Sequence, residues 1–178
     1  MSFVVREPRL EDADALGRVH VRAWLGAYRG GLMPDSYLDS LSEAERASMW
    51  RAALTAERRP RAGRLVAESE DHGVVGFAVF GPAGGDPDAV AGELYAINVD
   101  PDHWGTGAGR LLFDSAVETL GATGFPSAVL WVHPANARAR RFYESAGWRC
   151  DDVVREQEVL GVEVPEIRYS TELVARIT

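Results

Sequence analysis

Glu93-Leu94-Tyr95-Ala96-Ile97-Asn98-Val99-Asp100-Pro101-Asp102-His103-Trp104-Gly105-Thr106-Gly107-Ala108-Gly109-Arg110-Leu111-Leu112 is the stretch that decides the fold. Residues 93–99 carry Tyr, Ile and Val, which fit a pleated, largely buried surface. From Ala108 onward the apolar or small residues fall at 108, 111, 112, 115, 116 and 119, the repeat of one helical face. Between strand and helix, Gly105, Gly107 and Gly109 alternate with small residues. Glycines let a backbone approach a ligand closely. N–H groups that open a helix lack intrahelical partners and sit at the positive end of its dipole, so they attract anions. The stretch therefore predicts a strand, a glycine turn and a helix that together hold a phosphorylated ligand. A nucleotide-hydrolysing loop would close on Lys-Ser/Thr, whereas Arg110-Leu111 follows here. The dinucleotide fingerprint fails as well, because the spacing is G-x-G-x-G in mid-chain. The alternative is a plain glycine-rich β–α connection.

Composition sets the outer bounds. With 178 residues, one domain spanning 1–178 is expected, large enough for a real core. Hydrophobic residues make up 46% and charged ones 26%, as in an ordinary soluble protein. No apolar run approaches the ~20 residues of a membrane span. Met1-Ser2-Phe3-Val4-Val5-Arg6-Glu7 lacks the regions of a signal peptide. Cys150 is the single cysteine, which excludes an internal disulfide or Cys-based zinc site, and no metal is expected. A cytoplasmic enzyme is the simplest class. The net charge of −8 argues against a nucleic-acid partner and would attract cationic small molecules such as amines.

Residues 3–6 predict a first strand. Asp12 predicts the cap of a helix with Leu16, Val19, His20, Ala23, Trp24 and Ala27 inward, ended by Gly30-Gly31. Pro34 opens a short helical turn, and Ser42-Glu43-Ala44-Glu45 has the form of a capping box before Ala47, Trp50 and Leu54. Strands are expected at 65–69 and 74–80, then a loop from Pro82 to Gly92. Beyond the long helix, 128–132 reads as a buried strand. Pro134-Ala135-Asn136 leads into a helix with Ala139, Phe142, Tyr143 and Ala146 inward and Gly147 as its stop. Two strands, 149–159 and 164–173, parted at Gly161, complete a β-α-α-β-β-β-α-β-α-β-β order.

Two motifs in this order carry a resemblance. Val99-Asp100-Pro101 followed by Trp104-Gly105-Thr106-Gly107-Ala108-Gly109 is similar to the acetyl-coenzyme A pyrophosphate loop of the GNAT superfamily of N-acetyltransferases. That loop reads Gln/Arg-x-x-Gly-x-Gly/Ala from the position of Trp104, so the chain departs from it at the first residue. Leu130-Trp131-Val132-His133-Pro134-Ala135-Asn136 through Arg138, Phe142-Tyr143 and Gly147-Trp148 resembles the superfamily's next segment. Asn136 and Tyr143 lie seven residues apart, which on a helix is about 20° and about 10 Å, so an amide and a phenol could touch one extended ligand. The other reading of Tyr143 is a core residue whose hydroxyl finds a backbone partner.

The resemblance implies a GNAT fold, a mixed and mostly antiparallel sheet flanked by helices. It implies an acetyl-CoA-dependent N-acetyltransferase acting on a primary amine by direct attack in a ternary complex. Coenzyme contacts are then expected from Ile97, Asn98 and Val99, from Trp104, Gly105, Thr106, Gly107, Ala108 and Gly109, and from Asn136. Tyr143 would serve the thiol sulfur. Glu93, eleven residues before Trp104, would be the general base, on one strand face with Tyr95, Ile97 and Val99 by alternation. His133 is a second base candidate.

Arg110, Arg138, Arg140 and Arg141 concentrate positive charge, with Arg110 and Arg141 preferred as phosphate contacts over an ordinary solvated face. Trp24, Tyr28, Tyr37 and His133 would wall the acceptor, a small-molecule or peptide amine. Homodimerisation is a family-level expectation. The rival readings are a non-catalytic acyl-CoA-binding sensor and a protein N-terminal amine acetyltransferase.

Overall fold

The computed structural model describes residues 2–159 and 162–173. Its elements are β1 (Phe3–Arg6), α1 (Ala13–Tyr28), α2 (Asp35–Asp39), α3 (Glu43–Thr55), β2 (Gly63–Ser69), β3 (Gly73–Pro82), β4 (Gly92–Val99), α4 (Ala108–Ala122), β5 (Ser127–Val132), α5 (Ala137–Ser145), β6 (Arg149–Val159) and β7 (Val162–Glu172). The expected break at Gly161 lies outside the described residues. The strands form one seven-stranded sheet in the order β1-β2-β3-β4-β5-β7-β6. Every neighbouring pair is antiparallel except β4 and β5, which are parallel. This is the mixed, mostly antiparallel sheet flanked by helices that the two motifs imply.

Alternation along the strands gives the sheet two apolar faces. On one, Leu112, Phe113, Ala116 and Leu120 of α4 pack on Ala78, Phe80, Leu94, Ala128 and Leu130. On the other, Leu16 and Val19 of α1 and Trp50 of α3 pack on Val66, Val74 and Phe77. A third cluster joins Met33, Tyr37 and Leu38 to Val164 of β7, with Trp24 and Tyr28 against it.

Local signals behave as expected at most element ends. Ser42 Oγ accepts from the Glu45 amide at 3.2 Å and starts α3. Gly30 and Gly31 adopt φ of 96° and 115°, and Gly147 adopts 85°, after α1 and α5 respectively. Asp12 differs from expectation. It stands at the start of α1 without capping it, because its carboxylate accepts both Arg6 Nη atoms at 2.8 and 3.0 Å and the Arg9 amide at 2.6 Å. Arg6 also binds Glu68, so this charged group ties β1, β2 and the entry to α1 together.

The alternation expected for β4 also needs correction. Register shifts between Val79 and Phe80, which pair with Ala96 and Leu94, so Tyr95 is an extra residue. Leu94 therefore shares the α4 face with Ile97 and Val99, and Ala96 joins the α1 face. Glu93, adjacent to Leu94, points to the α1 face and not to the side of Ile97 and Val99.

Helix α1 crosses α3 at close range. A Cβ on Gly17 would lie 2.5 Å from the Glu43 carbonyl and 2.7 Å from the Ala47 amide nitrogen. Gly121 in α4 has only the Leu173 Cβ at 4.0 Å. Gly17→Ala is expected to destabilise the fold by about 1–3 kcal/mol through overpacking. Gly121→Ala is expected to stabilise it by about 0.5–1 kcal/mol through helix propensity. Urea midpoints moving in opposite directions check this.

His20 lies between the rings of Phe77 and Trp24, at 5.5 and 5.6 Å. Burial, helped by Arg46, lowers its pKa to about 4. The unfolded chain takes up this proton near pH 6.5. Between those values the unfolded state binds more protons, so stability falls as pH drops through this window. His20→Gln is expected to remove a loss on the order of 2 kcal/mol between pH 7 and 4, read as the difference in unfolding free energy from the parent chain.

Candidate active site

Strands β4 and β5 pair through Gly92–Ala128, Glu93–Val129 and Leu94–Leu130, and their described pairing stops there. Beyond that point β4 follows β3, with Ala96 to Val99 opposite Val79 to Gly76. Strand β5 follows β7, with Trp131 opposite Arg168 and Val132 opposite Ile167. The extra residue Tyr95 bends β4 away at this place, and its hydroxyl donates to the Pro82 carbonyl. A V-shaped gap results. The Asp100 amide donates to Val75 on β3 at 2.8 Å. Backbone direction alternates along an antiparallel strand, so Ile97 presents its amide and carbonyl to the gap and Val99 its amide, the Val99 carbonyl being taken by the Trp104 indole N–H at 2.8 Å. Asn98 turns its backbone towards β3 instead, and its side chain shares a face with its partner Phe77. Of the three β4 residues expected to touch the coenzyme, the backbones of two are thus brought to the gap.

The glycine loop sits at the open end. Asp100 Oδ1 accepts from the Asp102 amide at 3.0 Å, and Arg22 holds Asp100 at 2.8 and 3.2 Å and Asp102 at 2.7 Å. Burial pushes the Asp100 carboxyl up, but Arg22 and the Asp102 amide hold it below the usual carboxylate range. Gly105 and Gly107 have φ of 76° and 96°, with nothing within 4 Å of where a Cβ would stand. Their conformation, and not crowding, is what demands glycine. Thr106 Oγ1 donates back to the His103 carbonyl at 2.7 Å. The first α4 amide to reach along the helix axis is that of Leu111, which donates to Gly107 at 3.0 Å. Those of Ala108, Gly109 and Arg110 precede it, and the first turn of α4 has no acidic residue. This end can receive an anion.

Trp104 plays a different part from the phosphate ligand its position implies. Its backbone N–H donates to Pro101 at 3.1 Å and its indole N–H to the Val99 carbonyl at 2.8 Å, so both donors are spent. The ring lies against α1, where a Cβ on Gly26 would come within 2.9 Å of it. The Arg138 guanidinium lies 3.3 Å from the ring centroid. Arg110 is likewise engaged, with Nε 2.9 Å from both oxygens of Asp114. Arg141 is exposed on α5.

Asn136 precedes α5 instead of lying within it. Its Oδ1 caps the helix by accepting from the Ala139 amide at 3.1 Å, which leaves its NH2 donors uncommitted to that cap. The helical spacing expected between Asn136 and Tyr143 therefore begins one residue late. Tyr143 is 8% exposed, packed against Phe113, Phe142 and Tyr169. Its hydroxyl has no hydrogen-bond partner among the described residues, unlike Tyr169, which binds Arg140 and Glu144. Burial pushes the Tyr143 phenol well above its ordinary value, and Tyr28 adds to the shift. Tyr28 belongs to the α1 side of the sheet and Tyr143 to the α5 side.

The α1 side holds the remaining candidates. Glu93 is buried, and its Oε2 accepts from the Gly84 amide at 2.7 Å. His133 Nδ1 accepts from the Ala135 amide at 3.1 Å, which leaves Nε2 as the protonated nitrogen of the neutral ring. Burial lowers the His133 pKa against the pull of Glu166. Neutral and with its lone pair committed, His133 is better placed to donate than to take a proton. Burial raises the Tyr28 pKa, as does Glu166. Trp24 packs on Tyr28 and Tyr37 at 5.1 and 6.2 Å. Sequence reasoning missed Glu166 and Trp131, over which Arg155 lies at 4.0 Å. Their only signal was strand parity, unusable before β7 was known to lie beside β5.

A model of the acetyltransferase (GNAT) family matches residues 25–148, which include both the glycine loop and α5. The chain is 34% identical over 164 residues to the uncharacterized N-acetyltransferase YuaI of Bacillus subtilis, a match covering 92% of this chain and 89% of that protein. Its fold resembles the PaiA N-acetyltransferase of Thermoplasma acidophilum solved with coenzyme A, with TM-score 0.72, 20% identity, and coverage of 97% and 99%. It also resembles a GNAT superfamily phosphinothricin acetyltransferase of Sinorhizobium meliloti solved with AcCoA, with TM-score 0.71, 18% identity, and coverage of 97% and 89%. With its glycine loop, its parted strands and this family match, the chain belongs to the GNAT family of acetyltransferases.

Proposed function

We propose that the protein transfers an acetyl group from acetyl-CoA to a primary amine by direct attack within a ternary complex. The observation that carries this reading is the hydroxyl of the largely buried Tyr143, without a partner among the described residues, beside parted strands whose open end is a bare helix N-terminus. The residues fit the coenzyme. Left-handed Gly105 and Gly107 and the free amides opening α4 suit its diphosphate. The gap-facing amide and carbonyl of Ile97 and the Val99 amide suit an amide-bearing arm that adds to the β4 edge.

The chemistry follows from the groups at the two faces. An amine with pKa near ~10.4 must lose a proton before it attacks. Glu93 is the base in this reading: one oxygen is fixed by Gly84, and the carboxylate lies on the α1 side where Tyr28 and Trp24 would receive the acceptor. A gap-facing amide on β4 would polarise the thioester carbonyl. Tyr143, protonated throughout the neutral range, would donate to the departing sulfur. A phenol without a hydrogen-bond partner among the described residues is available for that role.

A panel of small amines and short peptides, assayed for thiol release from acetyl-CoA, tests the activity. Turnover of a small amine supports the reading. Binding of acetyl-CoA with no turnover across the panel would establish a sensor instead, and activity on peptides only would place the acceptor amine on a protein. Tyr143→Phe is expected to lower kcat about 10²-fold or more, with KM for acetyl-CoA within about threefold. Because the hydroxyl has no partner to strand, its melting temperature should be unchanged or slightly higher. Unchanged kcat in that variant would remove Tyr143 from the chemistry. Glu93→Gln retains an acceptor for Gly84 and is expected to lose about 10²-fold in kcat/KM near neutrality. A loss that disappears as the amine deprotonates at alkaline pH identifies the missing base.

A further inference from the structure

We propose that Arg138, laid flat on Trp104, supplies the side-chain contact to the coenzyme's phosphates that the glycine loop lacks at its own first position. This rests on the acetyl-CoA reading above and assigns the cation for it. The loop opens with Trp104, whose two N–H groups are committed to Pro101 and Val99. A side chain at 104 cannot then reach a phosphate. Among the neighbouring arginines, Arg110 is held by Asp114 and Arg140 by the Tyr169 hydroxyl and the Pro134 carbonyl. Arg138 alone lies over the first residue of the loop, 3.3 Å from the ring centroid, and it has no carboxylate partner among the described residues.

Stacking uses the face of the guanidinium and leaves its edge donors in plane, the geometry that matches phosphate oxygens. The platform beneath is fixed on three sides. Val99 takes the indole N–H, Pro101 takes the backbone N–H, and α1 comes so close that a Cβ on Gly26 would meet the ring at 2.9 Å. A rigid indole therefore sets where the guanidinium can stand. Arg138 is also the second residue of α5, whose first turn has no acidic residue. A cation at a helix N-terminus is repelled by the dipole, and among the described residues no carboxylate pairs with Arg138 to offset the repulsion. An anionic ligand would. Burial pushes the Arg138 pKa down, in keeping with a cation that lacks its counter-charge. The tryptophan at 104 and the arginine at 138 thus form one device, in which the cation comes from α5 and the loop provides its seat.

The test compares acetyl-CoA with S-acetylpantetheine, which has the same thioester and no phosphate. Kd by calorimetry and steady-state constants are measured for the parent chain, Arg138→Ala and Arg138→Lys. For Arg138→Ala, Kd and KM for acetyl-CoA are expected to rise roughly tenfold or more, as for loss of one charge-assisted contact. Its kcat should stay within about twofold and its KM for S-acetylpantetheine should not move. Arg138→Lys, which keeps the charge but not the flat fork, should fall between. Equal losses with both thioesters would overturn the proposal, because Arg138 would then act on the arm or on the fold. Unchanged acetyl-CoA affinity in Arg138→Ala would overturn it too. Absence of acetyl-CoA binding in the parent chain would instead sink the underlying reading, a result that no Arg138 variant can mimic.

Discussion

The separation of β4 from β5 after Leu94 and Leu130 is the constraint on which the rest of the structure depends. Two adjacent strands inside a sheet normally exchange hydrogen bonds along their length, and an unpaired buried amide is costly. Here each strand keeps its outer neighbour and abandons the inner one. Strand β4 stays in register with β3 as far as Val99, and β5 stays in register with β7 as far as Val132. One extra residue, Tyr95, tied to the Pro82 carbonyl, is enough to start the divergence. Packing then fixes it: a Cβ on Gly76 would stand 3.0 Å from the Asn98 carbonyl and 3.1 Å from a Val99 methyl. The open edge is thus held by both flanking halves of the sheet, and an extended ligand can satisfy what the missing ladder leaves free.

The proposed coenzyme would bring an anion to an acidic protein at this opening, where the local charges count for more than the net charge. The net charge is −8, but charges more than about 8 Å away are largely screened at physiological salt. Near the loop, Asp100 and Asp102 share Arg22, and Asp114 holds Arg110, so two arginines offset most of the charge of three carboxylates. The amides opening α4 and the guanidinium of Arg138 add positive character beside them. The acidic surface elsewhere is then free to favour a cationic acceptor, while the coenzyme end stays hospitable to phosphate.

Much of this was legible in the sequence because it rests on short-range chemistry. Gly105 and Gly107 announced a left-handed turn before an amphipathic helix, Ser42 announced α3, and Gly147 the end of α5. What escaped has a common cause, which is contact between residues far apart in the chain. The register shift at Tyr95 comes from pairing with β3, and it moved Glu93 to the opposite face from the one that simple alternation gives. Asp12 left its expected capping role because Arg6, on a different element, offered two charge-assisted bonds. Trp104 was visible as a departure from the loop pattern, but its partner Arg138 lies on another helix, and no spacing rule connects them. The neighbours of β5 were equally unreadable, since the chain places β7 between β5 and β6.

The two tyrosines beneath α5 show how packing can be separated from chemistry. Tyr143 and Tyr169 have ring centroids 6.1 Å apart and belong to one apolar cluster. The Tyr169 hydroxyl receives from Arg140 at 3.0 Å and donates to Glu144 at 2.7 Å, so its polar atom is accounted for within the fold. The Tyr143 hydroxyl has no such accounting among the described residues, although a phenylalanine would fill the same space. Packing therefore explains the ring of Tyr143 and leaves its oxygen unexplained. A hydroxyl that the packing does not call for is best accounted for by the role proposed for it at the departing sulfur.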